Sequence, residues 1–129
     1  MSDERPTYTL EEARALLPEI RATLLQLAVE RRRFATALAA IGSADGDGSA
    51  ASASQRQRHD EAGDAGEVMR ALLEHLETRG VQVRDLDIGL VDIPTVRDGE
   101  PAWFCWRLED GELGYWHTTE EGFSSRREL

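Results

Sequence analysis

Apolar side chains recur at Ala13, Leu17, Ile20, Leu24, Leu27, Phe34, Leu38 and Ile41, with Arg31 holding the one polar place in the series. The steps alternate four and three, which is the spacing of a heptad seam along one face of a long helix. Thr9 and Glu12 stand just ahead as a capping box, so the helix should begin near Leu10. Pro18 falls inside the pattern and is expected to bend it. A second series, Ala65, Met69, Leu72, Leu73 and Leu76, predicts a helix from about Gln55 to Arg79, with Gly80 as its C-cap. Between the two, Gly42 to Ser54 reads GSADGDGSAASAS, the composition of a flexible linker. Two amphipathic helices joined by one loop form an antiparallel hairpin most simply. The seam then either pairs two copies as a coiled coil or is buried within the chain, and the second is the plainer reading.

After Gly80 the period changes from near four to two. Asp98-Gly99 and Asp110-Gly111 each separate apolar-rich runs, and Asp-Gly favours a two-residue type I′ hairpin. This gives antiparallel strands at about 88–96, 101–109 and 112–118, with Val81 to Val83 available as a fourth. Two-residue turns fix the register: Asp92 opposes Cys105, and Cys105 opposes Trp116. One face then carries Val91, Ile93, Ala102, Phe104, Trp106, Leu108, Leu113, Tyr115 and His117, and is the core face. The other carries Leu90, Asp92, Pro94, Trp103, Cys105, Arg107, Gly114 and Trp116. Two tryptophans and a cysteine do not make an ordinary wet surface, so this face needs a cover. Phe123 in the C-terminal tail, a second subunit or a ligand could supply it.

The expected fold is therefore α+β, a long antiparallel helical hairpin packed on a three- to four-stranded antiparallel β-meander. It is read as a single domain over 1–129, with the hairpin at 1–80, a flexible loop at 42–54, the meander at 81–118 and a tail at 119–129.

Composition narrows the chemistry. The formal net charge is −10, which argues against nucleic acid, whose recognition needs basic surface, and against anionic membranes. All fifteen basic residues are arginine. Schiff-base catalysis, a pyridoxal-phosphate anchor and a phosphate-binding P-loop each need a lysine amine, so those classes are excluded. One cysteine forbids an intrachain disulfide. With a polar N-terminus and no signal-like apolar run, the cytoplasm is the expected location.

Four residues could hold a metal: Asp92, Cys105, His117 and Glu120, or Glu121 in place of the last. The register places His117 on the face opposite Asp92 and Cys105, so their union would require a bulge or a chain reversal. No CxxC or HExxH spacing supports the set. Apart from a divalent metal there, no cofactor is implied. The same geometry opposes a Cys105–His117 nucleophilic pair, and a lone strand cysteine is ordinarily a small buried hydrophobe. The face bearing Asp92, Trp103, Cys105, Arg107 and Trp116 makes a more concrete ligand site, an acid at the floor of a pocket between aromatic walls. Its plainer reading is an Asp92–Arg107 ion pair or a backbone cap at a strand end.

These residues also carry a resemblance. Tyr8-Thr9-Leu10-Glu11-Glu12-Ala13, Leu16-Leu17-Pro18, Gly89-Leu90-Val91-Asp92-Ile93-Pro94, Cys105-Trp106, Trp116-His117, Gly122-Phe123 and the arginines near Arg126 resemble the bacterial domain-of-unknown-function family 2203. Ile93 stands where that family more usually has phenylalanine, and the Gly/Ala/Ser linker looks like an addition. The family has no assigned activity, so the resemblance implies a fold and a set of positions without a reaction. The function expected first is a non-enzymatic binding or interaction module, homodimeric, acting on an unidentified protein or small molecule through the Trp/Cys/Asp face. The alternative is a metal-dependent or small-ligand enzyme with Asp92, Cys105, His117 and Glu120 at its site.

Overall fold

The computed structural model describes residues 6–42 and 49–129, with side chains absent from the description at 49–52. Helix α1 spans Leu10–Gly42 and runs through Pro18. The capping box closes as the sequence requires: Thr9 N donates to Glu12 Oε1 at 2.9 Å, and Glu12 N donates to Thr9 Oγ1 at 3.1 Å. Helix α2 spans Ser49–Thr78, so it starts ahead of the predicted Gln55 and takes in the end of the expected linker. Gly42, the first residue of that linker, closes α1, and residues 43–48 lie outside the described residues.

Five strands follow: β1 Gln82–Asp85, β2 Leu90–Arg97, β3 Glu100–Arg107, β4 Tyr115–Thr118 and β5 Arg127–Glu128. They form one antiparallel sheet in sequence order. The class is α+β, as expected; β1 is the fourth strand that Val81 to Val83 offered, and the edge strand β5 takes the sheet one beyond the predicted count.

Contacts divide the chain into two compact units, Met1–Leu24 with Glu74–Leu129, and Leu25–Leu73. In the first, Ala13, Leu17, Ile20 and Leu24 of α1 and Leu76 of α2 are buried, together with Val91, Ile93, Phe104 and Trp106 on one face of the sheet. Arg21 lies over the Trp106 ring, 5.2 Å from its centroid, and the indole N–H donates to Gly111 O at 3.1 Å. Glu19 accepts from Arg79 at 3.0 Å and lies 2.6 Å from His75, tying the helices side by side. In the second unit the helices run antiparallel, with Arg33 bonded to Asp64 at 2.6 Å and Gln55 to the Ile41 carbonyl at 3.5 Å. Leu27, Ala37, Ala62 and Ala65 are buried there, while Leu38 is 47% exposed. Ala37 thus takes the inward place that the heptad reading gives to Leu38. A straight helix turns 3.6 residues per turn, so a strict 3.5-residue seam drifts off the buried face.

The two hairpins behave differently. At Asp98-Gly99 both residues have positive φ, 54° and 79°, and β2 pairs with β3 in the expected register, Asp92 opposite Cys105. At Asp110-Gly111 no two-residue turn forms. Leu108–Asp110 closes a 3-10 turn, and β4 begins only at Tyr115. The observed pairs are Cys105 with Tyr115, Phe104 with Trp116 and Trp103 with His117. This is one residue away from the predicted register, and a one-residue shift turns every side chain of the strand over. Tyr115 and His117 therefore leave the core face, and Trp116 moves onto it.

Candidate metal and ligand site

The second face of the sheet belongs to the first unit and is assembled from β1 to β4. Asp92 opposes Cys105 directly, and His117 opposes Trp103, two residues along β3 on the same face. All three chemical groups are buried: Asp92 is 3% exposed, Cys105 1% and His117 2%. A carboxylate oxygen, the thiol sulfur and a ring nitrogen lie within 4.8 Å of one another, the grouping that the predicted register forbade.

The hydrogen bonds around His117 are informative. Its Nδ1 is 2.8 Å from the Thr118 carbonyl, an acceptor, so Nδ1 carries a proton. Nε2 is then the lone-pair nitrogen of the neutral ring, and it faces Asp92 Oδ1 at 3.0 Å. Two lone pairs repel unless a proton or another cation lies between them. Asp92 Oδ2 is met from the other side by Arg84 Nε at 2.9 Å. The predicted partner, Arg107, instead bonds Asp110 through Nε at 3.0 Å.

Burial, followed by the nearby Asp92 charge, pushes the Cys105 thiol up to about 11, with the Arg126 guanidinium opposing the rise. A thiol so shifted is a poor nucleophile at neutral pH. His117 is also spoken for at both nitrogens, by Thr118 and Asp92, and so is not placed as a base for the sulfur. The geometry does not assemble a nucleophilic pair.

The C-terminal tail supplies the cover. Arg126 lies 3.9 Å from the Tyr115 ring centroid and 4.5 Å from that of Phe123, and Arg107 is 5.3 Å from Phe123. Asp110 accepts from Arg126 at 2.8 Å and binds the tail to the turn after β3. Beside this cover opens a cavity of about 380 Å³ lined by Arg84, Leu90, Asp92, Trp103, Thr119, Glu121, Gly122 and Phe123. Asp92 is the one member of the buried group that reaches its wall.

Among the predicted site residues, Asp92, Trp103, Cys105 and His117 come together on this face. Arg107 shares the face but serves the tail. Trp116 is on the other side, with Arg97 4.4 Å and Arg127 5.1 Å from its centroid. Glu120 is exposed and outside the group. Glu121 lines the cavity, its carboxylate accepting from Thr118 N at 3.2 Å and Arg127 at 2.8 Å. The residue that sequence reasoning missed is Arg84. Arg84 falls where the β1–β2 register shifts between Val83 and Asp85, an irregularity that no turn or spacing in the sequence signals.

A profile described as an uncharacterised conserved protein, DUF2203, matches residues 6–129. The chain belongs to this family. The DUF2203 match takes in both helices, the sheet and the tail over the buried group. No curated protein and no solved structure matches the chain. Among the described residues no helix is long and apolar enough to cross a membrane.

Proposed function

We propose that this DUF2203 protein is a metal-dependent binding protein for a small ligand, with Asp92, Cys105 and His117 holding one zinc-like divalent ion. The observation that carries the reading is the convergence of three buried donor atoms within 4.8 Å, with the far nitrogen of His117 held by a backbone carbonyl. Metal-bound histidines are ordinarily oriented by such a bond, which fixes the tautomer and directs the lone pair inward. The donors suit a borderline-soft ion: thiolate, imidazole and carboxylate. At metal–ligand distances of about 2.0–2.3 Å, tetrahedral donors stand roughly 3.5 Å apart, so small side-chain rotations would close the group. Closed structural zinc sites use four protein ligands, whereas three leave a position for water or a ligand. The cavity reaching Asp92 fits that open arrangement.

The competing account is a proton in place of the ion, giving an imidazolium–Asp92 pair. The two separate by titrating chelator-treated protein with Co²⁺ and Zn²⁺. A metal protein takes up about one equivalent and shows visible cobalt bands, with a sulfur-to-metal band in the near ultraviolet that Cys105→Ser abolishes. His117→Gln removes a direct ligand and should weaken uptake by at least the roughly 10–100-fold that loss of an outer-shell partner costs. Uptake no tighter than in His117→Gln would overturn the proposal and leave the ion pair.

A further inference from the structure

Building on the metal site proposed above, we infer that the cavity beside Asp92 takes a small aromatic or apolar carboxylate, its acid group held by Arg84. Three observations converge. Arg84 is the cationic residue in the lining, and it is 44% exposed at the side chain although bonded to Asp92. Among the described residues its one side-chain hydrogen bond is made through Nε, so the other guanidinium N–H groups can meet an acceptor. It also lies over Trp103, 5.2 Å from the ring centroid, a cation–π contact that places the guanidinium beside the cavity, where its planar fork suits a carboxylate.

Charge selects the same class. With a divalent ion, the Asp92 carboxylate and a Cys105 thiolate cancel the metal charge, and neutral His117 adds nothing. Glu121 is paired with Arg127. Arg84 then remains as the uncompensated charge of the cavity, which favours an anion and disfavours an amine. Leu90, Trp103 and Phe123 supply the apolar walls that a ring or short alkyl group would cover. A multiply charged phosphate would meet one arginine and otherwise apolar walls, so a monoanion fits better.

The test uses the full chain loaded with one equivalent of Zn²⁺, with benzoate as probe and benzyl alcohol and benzylamine as controls of similar size. Titration calorimetry and tryptophan fluorescence should both report saturable benzoate binding, and neither should for the controls. Arg84→Gln should weaken benzoate binding by at least about tenfold while leaving zinc uptake measurable, and Arg84→Lys should fall between the two. Circular dichroism establishes that each variant is folded. Zinc uptake without benzoate binding, or equal benzoate binding by Arg84→Gln, would overturn this inference and leave the metal site standing. Failure of zinc uptake removes the metal site and this inference with it.

Discussion

At Gly89 the backbone has φ of +62°, and an added Cβ would stand 2.6 Å from Cγ and Cδ1 of Leu108. Gly89→Ala should therefore lose about 1–2 kcal/mol from the left-handed conformation alone, and more from the contact. Adding Leu108→Ala should relieve the contact without relieving the backbone. In urea denaturation the double variant is expected to be more stable than additivity predicts by about 1 kcal/mol; strict additivity would mean that the contact relaxes freely. The buried Asp92–His117 pair invites a similar cycle, run in chelator so that metal plays no part. His117→Gln should destabilise by about 1–3 kcal/mol or more, because the buried Asp92 carboxylate keeps Arg84 as its charged partner, and Asp92→Asn should cost less, because its amide N–H can donate to Nε2. Their effects should depart from additivity by at least about 1 kcal/mol. Effects that simply add would show that the 3.0 Å contact contributes nothing of its own.

Among the elements, the turn after β3 decides the most. Asp110 is the point where it grips the tail. Burial pushes its carboxyl up, but hydrogen bonds from Arg126 and Arg107 outweigh that and hold it below the usual carboxylate range. A carboxylate with a depressed folded pKa stabilises fully above its unfolded value, about 4, and the contribution is lost as pH falls through the folded value. The stability gap between wild type and Asp110→Asn should thus stay level from pH 7 to about 5 and close below about 4, as read by denaturant midpoints. A gap that persists undiminished at pH 3 would assign Asp110 a role other than ion pairing. The same residue explains why half of the meander was legible and half was not. Asp98-Gly99 needs only its own positive φ values to set the first hairpin. Asp110-Gly111 carries the same two letters, but its carboxylate is engaged by Arg107 and by Arg126 from the tail. The Arg107 contact is local, three residues apart, but the Arg126 contact is tertiary and leaves no local pattern. Missing it moved β4 by one residue, so Asp92, Cys105 and His117 were named together, along with Glu120, which lies outside the group, while His117 was assigned to the wrong face.

For the whole molecule, the two units differ in what they bury. The first holds Trp106, Ile20, Leu76, Ile93, Leu113 and Val91 almost fully buried, three of them on the hydrogen-bonded sheet and two on the helices that cover it. Among the described residues the second buries Leu27 with Ala37, Ala62 and Ala65, while Phe34, Met69, Leu72 and Leu73 are only half-buried, so it removes less apolar surface from water. Local stability should follow that inequality, since segments with few buried apolar contacts open at lower free energy. Native-state hydrogen exchange should find the amides of β2 and β3 exchanging by global unfolding, with those around Ala37 and Ala62 opening at least about 2 kcal/mol more easily. Trp106→Ala sharpens the test. It removes the largest fully buried side chain and should lower protection in β2 and β3 by about 3–5 kcal/mol. Local opening in Leu25–Leu73 should be unchanged until the global value drops to meet it. If protection in both units falls by the same amount at every amide, the chain unfolds as one cooperative body and the division in its contacts has no energetic counterpart.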